Sequence, residues 1–127
     1  MAWPWRYAIR VDGLGDTGIL FLPNAGNDVD ARSEIEISDR IDRRRHTLAL
    51  YHIACIIDER TGKDENELDA IRGRAGRYTY IITGTDRDKK MRDSFFVAES
   101  VSAAIKNARS REWLSIRLYQ CKEIPLT

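Results

Sequence analysis

Leu48-Ala-Leu-Tyr-His-Ile-Ala-Cys-Ile-Ile57, then Asp64-Glu-Asn-Glu-Leu-Asp-Ala-Ile-Arg72, then Tyr78-Thr-Tyr-Ile-Ile-Thr83 is the stretch that decides the fold class. In the first segment apolar residues would cover every face of a helix, so no amphipathic stripe exists. Ile53, Ile56 and Ile57 are β-branched and favour a strand buried on both faces. The second segment opens with acids, where the positive end of a helix dipole favours them. Leu68 and Ile71 supply its apolar side, and Gly73 and Gly76 follow as a C-terminal signal. The third segment returns to β-formers. The order is strand, compact helix, return strand.

Working outward, Trp5, Tyr7, Ile9 and Val11 alternate with Arg6, Ala8, Arg10 and Asp12. A period of two predicts a strand with one apolar face. Gly13-Leu-Gly-Asp-Thr-Gly18 reads as a turn, and Ile19-Leu-Phe-Leu22 as a second strand stopped by Pro23. Asn24 to Asp28 reads as a loop. Ile35 and Ile37 alternate with Glu34, Glu36 and Ser38, which predicts a third strand from about Ser33. Joined to Leu48–Ile57 through the charged stretch Asp39–Arg45, it makes a long hairpin with a charged tip. A helix from Ser38 to Arg60 is the rival.

Tyr78–Gly84 and Ser94–Val97 flank a polar tip, a second hairpin. Glu99–Arg109 is read as a strand, with Val97, Val101, Ala103 and Ile105 on one face. The alternative is a helix over about 99–109, with Val97, Val101, Ala104, Ile105 and Ala108 in one stripe. In the last strand Leu114, Ile116 and Leu118 share a face. The expected fold is mainly β: one domain over 1–127, an antiparallel two-sheet β-sandwich or small barrel, with a long hairpin and one packed α-helix. A second helix at about 99–109 would make it α+β.

The chain has 127 residues, enough for one core. Hydrophobic residues make up 43% and exclude a disordered chain. Lysine and arginine number 21 against 20 acids, a net +1, where a dedicated nucleic-acid binder shows a basic excess. No segment reaches the roughly 18 to 20 apolar residues of a membrane span, and the N-terminus lacks the pattern of a secretory signal. Cys55 and Cys121 sit in apolar runs and read as reduced, buried thiols.

No convincing active site emerges. Neither cysteine has a histidine at a recognisable spacing, and His46 and His52 form no zinc pattern. The glycines at 13–18 match a bare dinucleotide fingerprint, but Ile-Leu-Phe-Leu-Pro follows where the phosphate-binding helix belongs. Asn24, Asn27, Asp28 and Asp30 cluster oxygens without the glutamate that closes a calcium loop, and read as an ordinary turn. We therefore expect no catalytic, cofactor or metal residues. Two features point to another protein surface. Arg40, Arg43, Arg44 and Arg45 are interleaved with Asp39 and Asp42, which suits complementary ion pairing better than phosphate binding. Trp3, ahead of Pro4, lies outside the strand pattern, and an exposed tryptophan suggests an intermolecular contact.

Taken in order, these segments resemble the tail-tube and distal-tail β-sandwich family of bacteriophages. The resemblance lies in Leu48–Ile57, in Glu67-Leu-Asp-Ala-Ile71 with glycines after it, and in Tyr78–Thr83. It continues in Phe95-Phe-Val-Ala-Glu99 and Trp113-Leu-Ser-Ile-Arg-Leu118, and begins at Trp5-Arg-Tyr-Ala-Ile-Arg-Val-Asp-Gly13. It implies a virion structural protein without enzymatic activity, assembled in a bacterial cytoplasm into homo-oligomeric rings. Its partners would be its own copies and neighbouring virion proteins, with no membrane and no specific nucleic acid. Residues 33–57 would help build the ring or contact the next one. The competing expectation is a small nucleotide- or nucleic-acid-binding protein using Arg40–Arg45. An enzyme ranks third.

Overall fold

The computed structural model describes residues 7–12, 18–22, 24–37, 47–60 and 78–126. Among them are β1 (Tyr7–Val11), β2 (Ile19–Phe21), α1 (Asp28–Ile37), β3 (Leu48–Asp58), β4 (Tyr78–Thr85), β5 (Met91–Ala98), α2 (Val101–Ser110) and β6 (Leu114–Ile124). The mainly β, antiparallel class holds. The described strands form one six-stranded sheet, in the order β2-β1-β3-β6-β4-β5, where a two-sheet sandwich or a small barrel was expected. The helix expected over Asp64–Arg72 lies outside the described residues.

The chain divides into two compact units, Met1–Ile53 with Lys122–Thr127, and Ala54–Cys121. In the first, β1 pairs β2 with Ile9 opposite Leu20, and pairs β3 with Ile9 opposite Leu50. Tyr7, Ile9 and Val11 are buried together with Leu50, as the period of two requires, and Ala31 and Ile35 of α1 join the same cluster. Tyr7 Oη donates to Asp28 Oδ1 at 2.6 Å, which ties the start of α1 to β1.

α1 corrects the expected third strand at 33–37, and with it the first arm of the long hairpin. The alternation of Ile35 and Ile37 is real, but the i, i+4 pair Ala31 and Ile35 is what packs. Asn27 caps the helix: its Oδ1 accepts from Asp30 N at 2.8 Å, and its carbonyl from Ala31 N at 3.0 Å. Asp28 and Asp30 then lie in the first turn, favoured by the dipole. The asparagine-rich turn is therefore a helix start.

In the second unit, β4 pairs β5 with Ile81 opposite Phe95, and pairs β6 with Ile81 opposite Tyr119. Ile56, Ile57, Tyr80, Ile82, Ile116 and Leu118 are buried with Ala104 and Ala108 of α2. Residues 101–110 are thus helical, the alternative of the two readings and not the preferred strand. Ser100 Oγ accepts from Ala103 N at 3.1 Å and caps it, and the small side chains of Ala104 and Ala108 allow close approach. Arg111 closes the helix with its guanidinium 5.3 Å from the ring centres of both Phe96 and Trp113.

The β4–β5 hairpin is as expected, but β5 begins at Met91 and the tip is only Asp86–Lys90. Asp86 explains the tight reversal. Its Oδ1 accepts from Asp88 N and Lys90 N at 2.8 and 3.0 Å, and its Oδ2 from Arg92 Nε at 2.8 Å. The Arg92 contact, with those backbone donors, holds the Asp86 carboxyl below its usual range. Lys89 takes φ 61° to complete the turn.

β6 carries a bulge. Thr83 pairs Arg117 but Thr85 pairs Leu114, so β6 has one residue more than β4 there. Ser115 absorbs it at φ 55°. Gly84 sits opposite. A Cβ on it would lie 3.1 Å from Trp113 Cβ and 3.2 Å from the Leu114 carbonyl oxygen, so glycine admits the bulged strand. The extra residue flips the parity. Leu114 shares the side of Arg117, and not that of Ile116 and Leu118 as expected.

Candidate functional site

Trp3, Arg40, Arg43, Arg44 and Arg45 all lie outside the described residues, as does His46. What the structure does place is the polar chemistry of the second unit. The registers set Asp93 beside Thr83 and Thr83 beside Arg117, in one row across β5, β4 and β6. Arg117 Nε reaches Asp58 Oδ1 of β3 at 3.3 Å and completes the row. Asp58 Oδ1 also accepts from Arg60 N at 3.1 Å, and Glu59 Oε2 accepts from Ile116 N at 3.1 Å. These acids hold the end of β3 against β6.

The row ends in two carboxylates, Asp58 and Asp93. Three interstrand steps of roughly 4.8 Å separate their strands, about 14 Å in all. That exceeds the spacing of an acid–base pair acting on one bond. Tyr119 is buried in the neighbouring row, opposite Ile81, and burial pushes its hydroxyl far above the usual range. Cys121 and Cys55 are buried free thiols, as expected, and burial pushes the Cys121 thiol upward too. A phenol and a thiol so held stay protonated and do not serve as nucleophiles at neutral pH.

Asp93 differs. It is half-buried, and its Oδ1 is enclosed with no hydrogen-bond donor among the described residues. Desolvation raises its carboxyl from 3.8 to about 6. The sign follows from linkage. Below about pH 4 the carboxyl is protonated in both folded and unfolded chains. Between 3.8 and about 6 the unfolded chain ionises while the folded one keeps its proton, so stability falls as pH rises through that window. Asp93→Asn is expected to flatten this slope between pH 4 and pH 7. Solvent screening of a half-exposed group keeps the gain at neutral pH to about 1 kcal/mol or less. Urea unfolding of both proteins at the two pH values checks it, and equal slopes would remove Asp93 as the source.

Asp93 belongs to β5, and β5 is the other notable feature. It is an eight-residue strand with β4 on one side and, among the described residues, no strand on the other. An open edge presents unpaired N–H and C=O groups, a template for another chain. Met91 is 79% exposed and Val97 44% on this strand. Sequence reasoning found the strand but not that it was an edge, since strand order is a non-local property. The opposite edge, β2, has three residues.

A shallow apolar groove lies in the first unit between the start of β3 and Glu123–Leu126. Its walls offer one carboxylate and no convergent polar set. Among the described residues no group of three or more His, Cys, Asp or Glu side chains could hold a metal ion. No described helix is long and apolar enough to cross a membrane. No family model matches the chain, and neither a curated protein nor a solved structure is significantly similar to it.

Proposed function

We propose that this chain is a structural protein that works by assembling with its own copies, and specifically a virion component of the phage-tail type built into rings. The observation that carries the reading is β5, eight residues long and last in the order of the described strands, with Met91 and Val97 exposed on it. Natural monomers blunt such edges with short strands, prolines or inward charges. Here the strand is long and no proline interrupts residues 91–98, and the half-buried Asp93 is the inward charge on it. The interleaved charges of Asp39–Arg45 add a second candidate contact, of the kind that fixes register between subunits. The reading assigns the protein no catalytic step and no cofactor.

Sedimentation velocity across a wide concentration range tests the proposal, with native mass spectrometry of any assembled species. Assembly beyond the monomer is expected. Arg43→Glu with Arg44→Glu should weaken assembly at least tenfold, with circular dichroism checking that the monomer stays folded. A strict monomer that binds ATP or an oligonucleotide saturably, and loses that binding in the double variant, would replace the proposal with the ligand-binding alternative.

A further inference from the structure

We infer that the chain is an internal repeat of one β-β-α-β unit, in which each repeat completes the other's core with the end of its own last strand. The inference goes beyond the assembly reading and does not rest on it.

The first repeat is β1, β2, α1 and β3, and the second is β4, β5, α2 and β6. In both, the first strand pairs antiparallel with the second and with the third. Equivalent residues keep one interval from the first strand to the end of the helix, that between Tyr7 and Tyr80. Ile9 then corresponds to Ile82, and Ala25 to Ala98. The helices Asp28–Ile37 and Val101–Ser110, of 10 residues each, begin and end at the same interval. So do their caps. The Asn27 side chain accepts from Asp30 N, and that of Ser100 from Ala103 N. The carbonyls of Asn27 and Ser100 accept from Ala31 N and Ala104 N, each at 3.0 Å. Ala31 and Ile35 pack in the first core as Ala104 and Ala108 do in the second.

Strand pairing fixes the rest. Ile9 is opposite Leu50, and Ile82 opposite Leu118. Ala8 is opposite Tyr51, and Ile81 opposite Tyr119. Leucine thus matches leucine and tyrosine matches tyrosine, at a second constant interval that brings Ile56 to Ile124. Packing constrains buried positions most, so likeness between repeats persists there. The hairpins differ, with three residues in β2 and eight in β5.

The last strands each serve both cores. Ile124, near the end of β6, packs in the cluster of Tyr7, Ile9, Ala31, Ile35 and Leu50. Its equivalent Ile56, near the end of β3, packs in the cluster of Tyr80, Ile82, Ala104, Ala108 and Leu118. The compact units divide at equivalent points, after Ile53 in β3 and after Cys121 in β6. Arg32 Nε of α1 also donates to the Pro125 carbonyl at 2.8 Å. Opening one core therefore frees a strand end that belongs to the other repeat.

Two experiments on the full-length chain test the two parts, and neither depends on oligomeric state. Hydrogen exchange of the helix amides reads the shared cores. Ile124→Ala, in the second repeat, should speed exchange in α1 of the first at least tenfold. Ile56→Ala, in the first, should do the same in α2 of the second. If either variant does not fold, Ile124→Val and Ile56→Val replace them, with at least a twofold effect expected. A smaller effect on the other repeat's helix overturns the shared cores. Grafting reads the repeat itself. Residues 100–110 are placed over 27–37 with Ile35 kept, so that a serine caps and an alanine stands at position 31. A control graft takes 101–111 over the same positions, again with Ile35 kept. It sets valine at the cap and isoleucine at position 31. The first graft should fold by circular dichroism and unfold at higher urea than the control. Failure of the first graft to fold, or a urea midpoint no higher than the control's, overturns the repeat.

Discussion

Arg117→Met is expected to lower stability by about 3 to 5 kcal/mol, the cost of removing one partner from a buried ion pair. The side chain of Asp58 is 3% exposed and that of Arg117 16%, with Nε and Oδ1 3.3 Å apart. Methionine replaces the aliphatic stem, so packing is largely kept and the charge alone is lost. The Asp58 carboxylate then stays in the sheet without the Arg117 guanidinium. The Arg60 amide still donates to it, but a neutral donor does not replace a charged one. The pair itself need not stabilise much. Asp58→Leu with Arg117→Met should recover most of the loss, since an apolar pair of similar volume serves as well. Urea midpoints of the two single variants and the double variant give the coupling directly. A single Arg117→Met variant within about 1 kcal/mol of wild type would mean the pair is solvated in solution.

That pair also shows where sequence reading stopped. In the sequence Asp58 and Glu59 directly follow the apolar run Leu48–Ile57, and Arg117 alternates with Ile116 and Leu118. Nothing local says that β6 lies between β3 and β4, so their partnership could not be read. The strands themselves were legible because their signals are local. Tyr7, Ile9 and Val11 alternate, and Leu48–Ile57 is apolar on both sides. The two helices were harder. Ile35 and Ile37 mimic a strand over five residues, and the deciding signal was the capping Asn27 that precedes them. Val101–Ser110 fits both periods, and Ser100 as a cap with alanines at 104 and 108 decides for the helix. The place of β5 at the end of the described strand order was illegible for the same reason as the ion pair, since that order is non-local.

Ile116→Ala and Leu114→Ala should behave very differently, although simple alternation puts both residues in the core. Ile116 is 3% exposed and packs in the cluster with Ile82, Leu118, Ala104 and Ala108. Its truncation removes buried methyl groups and leaves a cavity between the sheet and α2. The expected loss is about 2 to 5 kcal/mol. Leu114 is 65% exposed, because the extra residue at the Ser115 bulge turns it to the side of Arg117. Its truncation should change stability by no more than about 0.5 kcal/mol, the usual range for surface substitutions. Gly84 makes the bulge fit, so the contrast between the two variants reports on all three residues together. Denaturant unfolding with unchanged slopes provides the comparison, since altered slopes would signal a change in the unfolded chain. Equal losses at 114 and 116 would show a regular β6 without the bulge. Ser115 would then have no reason to adopt its left-handed backbone, and Gly84 none to lack a side chain.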